Sequence, residues 1–220
     1  MSNSKLDLTA VPPRRNFFGG LFGAVALGFA GLVPTRSRAQ PAAALPDGLD
    51  WPGMLKGRHR QVVDAYEVNS GFPLAFAYTF LAPNPPGSAT AVVVLRHGAF
   101  PIALNSAMWE KYKIGQSLNI IDPETKAAAV KNPYLHPKAG VLLVDDMAVD
   151  RLLANGTVFG ACNVALLVLS KRLAGNGGVS PDEAAKEWAA NVIPGITVIP
   201  SGTWGLNRAQ ESGCSYCAGG

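Results

Sequence analysis

Residues 91–95 read Ala-Val-Val-Val-Leu, an unbroken apolar run with three consecutive valines. β-branched side chains favour extended backbone, and a strand without polar alternation is one buried on both of its faces. Such strands belong to sheets whose neighbours run parallel and are connected by helices. The remaining sequence keeps that rhythm. Residues 61–68 (QVVDAYEV), 157–161 (TVFGA) and 196–200 (ITVIP) read as further strands, and 214–217 as a last one. Helical periodicity occupies 72–81, despite Pro73 near its start, and resumes after the 91–95 strand through Ile102, Leu104, Met108 and Trp109. Residues 147–154 form another helix, stopped by Asn155-Gly156, and 163–173 a buried one. Ser180-Pro181-Asp182-Glu183 is a helix start, with Ser180 as N-cap, Pro181 at the first helical position and Glu183 three residues after the cap; that helix runs to about Val192. A short helix at 204–211 completes the set. Residues 122–138, polar and with three prolines, read as a long loop, and Gly175-Asn176-Gly177-Gly178 as a flexible turn. The expected class is α/β with a largely parallel sheet.

The first 39 residues are of a different kind. Arg14 and Arg15 stand together, Phe17 follows one residue later, and an uncharged apolar run extends from Phe17 to Val33. Ser37-Arg38-Ala39 places small residues at the −3 and −1 positions of a cleavage site, which makes Gln40 the expected new N-terminus. The pattern resembles the twin-arginine (Tat) export signals. It implies recognition by the Tat translocase, delivery to the periplasm as a folded protein and no membrane anchor after cleavage. Five glycines in the run make it a weakly hydrophobic helix, and its length of about 17 residues falls short of the roughly 20 that a span requires. Residues 40–57, rich in Pro, Ala and Gly, read as a linker or N-terminal extension, and 58–220 as the folded domain.

Charge narrows the function. The chain has 19 basic and 15 acidic residues. Five of the former and one of the latter precede Gln40, which leaves 14 of each in the mature protein. The apparent basicity belongs to the leader, and with it goes the argument for nucleic-acid binding. The sequence contains no G-x-S-x-G elbow, no G-x-G-x-x-G fingerprint and no short H-x-x-x-H spacing, so hydrolase, dinucleotide-enzyme and zinc-enzyme signatures are missing and no metal is expected.

Four pieces in order carry a resemblance. They are His97-Gly98 after a strand, Thr157 to Cys162 (TVFGAC) before a helix, Ile193 to Gly202 (IPGITVIPSG), and Gln210-Glu211-Ser212-Gly213. Together they resemble the DsrE-like sulfur-relay superfamily over nearly the whole mature domain. The resemblance implies a three-layer α/β/α domain with about five strands, often assembled as a homo-oligomer, with its site at the carboxyl ends of the strands. It also implies sulfur or thiol chemistry, with a persulfide on a cysteine and a sulfur-donor or acceptor protein as partner. This chain differs in its long segment from Gly115 to Gly140 and in carrying Cys214 and Cys217 where relatives more often have an aromatic and an aliphatic residue.

Candidate site residues follow. Cys162 lies between a strand and a helix, where helix amides favour a thiolate, although a buried structural cysteine would suit the same apolar setting. His97 could act as a base beside Arg96, whose charge would suit a sulfur oxyanion; equally, His97-Gly98 could only form the turn, with Gly98 permitting tight backbone. Cys214 and Cys217 have C-x-x-C spacing, which leaves open a redox pair, a structural disulfide or half a metal site. In a strand the two sulfurs would point to opposite faces. His59 and His136 read as surface residues, and Asp145-Asp146 as the acidic start of a helix. The expected function is periplasmic sulfur carriage or persulfide relay through Cys162. The alternatives are a non-catalytic module binding a small anion or a partner, and a thiol oxidoreductase using Cys214 and Cys217.

Overall fold

The computed structural model describes residues 52–220. The expected export signal, with Arg14, Arg15 and Phe17, and most of the 40–57 segment lie outside the described residues. Five strands, β1 (His59–Ala65), β2 (Ala89–Leu95), β3 (Val158–Cys162), β4 (Ile196–Ile199) and β5 (Ser215–Ala218), form one sheet in the order β4-β3-β2-β1-β5, with every pairing parallel. β2 and β3, in the middle, are buried almost throughout, as their unbroken apolar runs require.

Seven helices connect these strands: α1 (Phe72–Leu81), α2 (Ser106–Lys111), α3 (Ile114–Ser117), α4 (Val149–Ala154), α5 (Asn163–Gly177), α6 (Pro181–Ala190) and α7 (Gly202–Glu211). From β1 to β4 the chain steps along the sheet in one direction. Right-handed crossovers then put all the intervening helices on one face, and the return from β4 to β5 puts α7 on the other. The core divides accordingly. One cluster joins Val63, Val93, Leu95 and Phe159 to Leu74, Leu166 and Trp188; the other joins Val62, Val92, Val94 and Ile199 to Ala209 of α7. The result is a three-layer α/β/α sandwich.

Several boundaries differ from the sequence expectation. β1 begins at His59 and ends at Ala65, so Tyr66, Glu67 and Val68 leave the sheet rather than extend it. The helical pattern after β2 splits into a 3-10 segment, His97–Ala103, and α2, because Leu104 and Asn105 are extended and Asn105 caps the second helix through Met108 N–H. Ala148 interrupts the 147–154 helix in the same manner. The Gly175–Gly177 stretch is helical, not a turn. There Asn176 Nδ2 donates to the Tyr112 carbonyl and to Ser117 Oγ, and a Cβ on Gly177 would come within 2.6 Å of the Tyr112 ring. Tertiary contact thus overrides glycine's poor helix propensity. The capping box at Ser180 and Glu183 forms as expected.

Candidate functional site

Strand ends define a cleft. Tyr66 to Ser70 follow β1, Arg96 to Gly98 follow β2, Cys162 ends β3, and Ser201 to Thr203 follow β4; all of them line one cavity of about 730 Å³. Its location has a topological reason. The chain leaves β3 for α5 on one face and leaves β4 for α7 on the other, and this divergence opens a crevice between neighbouring strands.

Cys162 sits at that divergence. It is the N-cap of α5, and its Sγ accepts the Ala165 N–H at 3.4 Å. The residue is only 5% exposed, buried against the core yet part of the cavity lining. Several unpaired N–H groups converge at a helix N-terminus, which is one of the settings in which proteins hold reactive sulfur. Ser201 caps α7 across the crevice by accepting from Trp204 N–H.

His97 has a strained backbone and is held by two side-chain contacts. Its φ of +46° is left-handed, a conformation that costs a non-glycine residue about 1–2 kcal/mol. Its Nδ1 lies 2.7 Å from Glu67 Oε1, and its ring stacks on Tyr66 at 4.3 Å between centroids. Gly98 allows a close approach: a Cβ there would collide with the Glu67 carboxylate, so its bare Cα makes room for the His97 partner. Asn69, Ser70 and Asn119, also on the cleft, have positive φ as well, a concentration of unusual backbone typical of functional rims.

Arg96 faces inward. Its guanidinium donates from Nε (2.7 Å) and Nη2 (2.9 Å) to the two oxygens of Asp64, a buried carboxylate near the end of β1. The hydrogen bond to Asp64 raises the Arg96 pKa still further. Tyr216 OH of β5 also donates to Asp64, at 2.9 Å, and this bond raises the phenol's pKa. The Arg96 charge is therefore balanced within the protein, and its stem lies against the start of α7, where a Cβ on Gly202 would come within 2.6 Å of it. Arg96 packs over the Tyr66 ring at 4.5 Å. It positions the cleft floor. The cation of the lining without an acidic partner among the described residues is Arg172 of α5.

The other cysteines are elsewhere. Cys214, just before β5, is buried in the α7-side core, whereas Cys217 within β5 packs against the opposite core, so their sulfurs lie on different faces of the sheet. Burial, partly countered by Arg60, raises the Cys214 pKa. All three cysteines are free, and among the described residues no group of three His, Cys, Asp or Glu is arranged to hold a metal. His136 is on the surface, paired with Asp150, and Asp145-Asp146 opens a 3-10 turn.

Sequence reasoning missed Asp64, Tyr66, Glu67 and Arg172. Asp64 carried a signal: a lone carboxylate in the middle of a strand with apolar neighbours needs a buried partner. These features define a three-layer α/β/α protein with a thiol-bearing cleft at its carboxyl edge. No family model and no curated protein matches the sequence.

Proposed function

We propose that this is an exported DsrE-like protein that carries sulfur as a persulfide on Cys162. One observation carries the reading: the Cys162 sulfur lies at the amino end of a fifteen-residue helix, accepts a backbone N–H, and borders a cleft that also contains His97. Loading is an exchange without net oxidation. The Cys162 thiolate attacks the outer sulfur of a donor persulfide, the donor's S–S bond breaks, and the donor leaves as its thiolate while a new S–S bond forms on Cys162. His97, oriented by Glu67, is the acid–base group of the same cleft, and Arg96 shapes its floor through Asp64. Partners in this scheme are a sulfur-donor or acceptor protein and a second copy of the chain in a homo-oligomer.

Delivery by the Tat translocase belongs to the same proposal and rests on Arg14, Arg15 and Phe17. Because that route exports folded proteins, the cysteines pass first through a reducing compartment and meet oxidants only afterwards. The test of chemistry is intact-mass measurement after exposure to a persulfide donor. Wild type should gain one sulfur atom that reductant removes, and Cys162→Ala should gain none; equal loading of both would refute the assignment. The test of address is fractionation of cells producing the Arg14→Lys, Arg15→Lys chain, which should stay uncleaved in the cytoplasm. Undiminished export would refute it.

A further inference from the structure

Beyond its thiol, the cleft has a wall whose composition a sulfur atom alone does not explain. Val164, Val168 and Arg172 recur every four residues along α5 and therefore share one face. Val164 is 52% and Val168 59% exposed, so α5 is not the fully buried helix that its sequence suggests. Ile121, 53% exposed, lines the same cavity together with Leu118 and Ile120. Apolar side chains of this size, gathered on a concave surface and left open to water, mark a binding site more often than a solvent face. Polar side chains accompany the apolar stretch: Ser201, Thr203 and Cys162 line the cavity from the strand ends, and Arg172 lines it from α5 without an acidic partner among the described residues. Ten residues of helix separate Cys162 from Arg172, a rise of about 15 Å. A cavity of about 730 Å³ is far larger than an inorganic anion needs and lies within the range of small-molecule sites.

We propose that the cleft binds an elongated amphipathic carboxylate, a linear apolar chain lying along Val164, Val168 and Ile121 with its anionic head on the Arg172 guanidinium. Apolar burial supplies most of the affinity, and the guanidinium fixes the polarity of the ligand through a charge-assisted hydrogen bond. The concave shape favours such a ligand over a flat contact with another protein. This inference shares a cleft with the persulfide proposal but rests on the wall rather than the thiol, so the two can fail separately.

Calorimetric titration of the purified full chain with decanoate, decanol and butyrate tests it. Decanoate should bind more tightly than either decanol, which lacks the charge, or butyrate, which lacks the chain. Arg172→Gln should weaken decanoate about tenfold, as expected for losing a charged hydrogen bond, and leave decanol unchanged. Val168→Asp should weaken both, and none of these readings requires a persulfide on Cys162. Both Arg172 and Val168 are exposed, so the variants should fold, which circular dichroism verifies. The proposal is overturned if decanoate does not bind, if Arg172→Gln binds it as wild type does, or if sedimentation shows a dimer that Val168→Asp dissociates and decanoate leaves intact.

Discussion

Cys162 and Cys217 both lie toward the carboxyl ends of parallel strands, yet the sheet treats them differently. Cys162 ends a central strand that passes directly into α5, so its sulfur meets a free helix amide and borders the cleft. Cys217 lies within the edge strand β5, which pairs with β1 alone, and its nearest sequence companion Cys214 is on the other side of the sheet. The two regions share residue chemistry and differ in what the backbone offers the sulfur. The comparison teaches that strand position, more than cysteine spacing, decides which thiol borders the cleft. Asp64 joins the two regions, since the same carboxylate accepts from Arg96 at the cleft and from Tyr216 on the edge strand.

The largest expected effect comes from cutting that joint. Asp64→Ala leaves the half-buried Arg96 without its counter-charge and should lower unfolding stability in urea by about 3 kcal/mol. Hydrogen exchange should accelerate in Ser215–Ala218 more than in Asn163–Gly177; uniform acceleration would mean that the two regions are a single cooperative unit. Next, Cys214→Ala should cost about 1 kcal/mol for a lost buried group, while Cys217→Ala should be close to neutral. Equal costs would erase the distinction between core and edge.

Smaller effects appear in titration. The buried Cys214 thiol has a raised pKa, so at a given pH it holds less thiolate than it does in the unfolded chain. Its alkylation by iodoacetamide should therefore shift to higher pH on folding, as mass mapping at several pH values would reveal. On the cleft side, burial pushes the Tyr134 phenol up from 10.0 to about 12. Its folded pKa lies above the unfolded one, so its share of stability is complete below pH 10 and is lost as pH rises toward 12. Tyr134→Phe should flatten that part of the alkaline stability profile.

What could be read in the sequence was what is locally encoded. The 91–95 run announced a buried strand, Ser180 and Glu183 a capping box, and residues 72–81 a helix, because each depends on neighbours a few positions away. Placement of Cys162 and His97 at strand ends was legible for the same reason. The rest depends on distance along the chain. Arg96 meets Asp64 across 32 residues, and Tyr216 meets it across 152, so neither contact leaves a periodic trace. Likewise, Gly175 and Gly177 read as a turn until Tyr112 packs against the helix, and the open face of α5 reads as core because valine and leucine have the same pattern whether a cleft or a sheet lies opposite.

The most direct test is to isolate the protein from its own cells without reductant, label persulfides selectively and map the label to peptides. The account predicts label on the peptide containing Cys162 and on no other cysteine. Label confined to Cys214 or Cys217, or absent from Cys162 after donor loading, would contradict it.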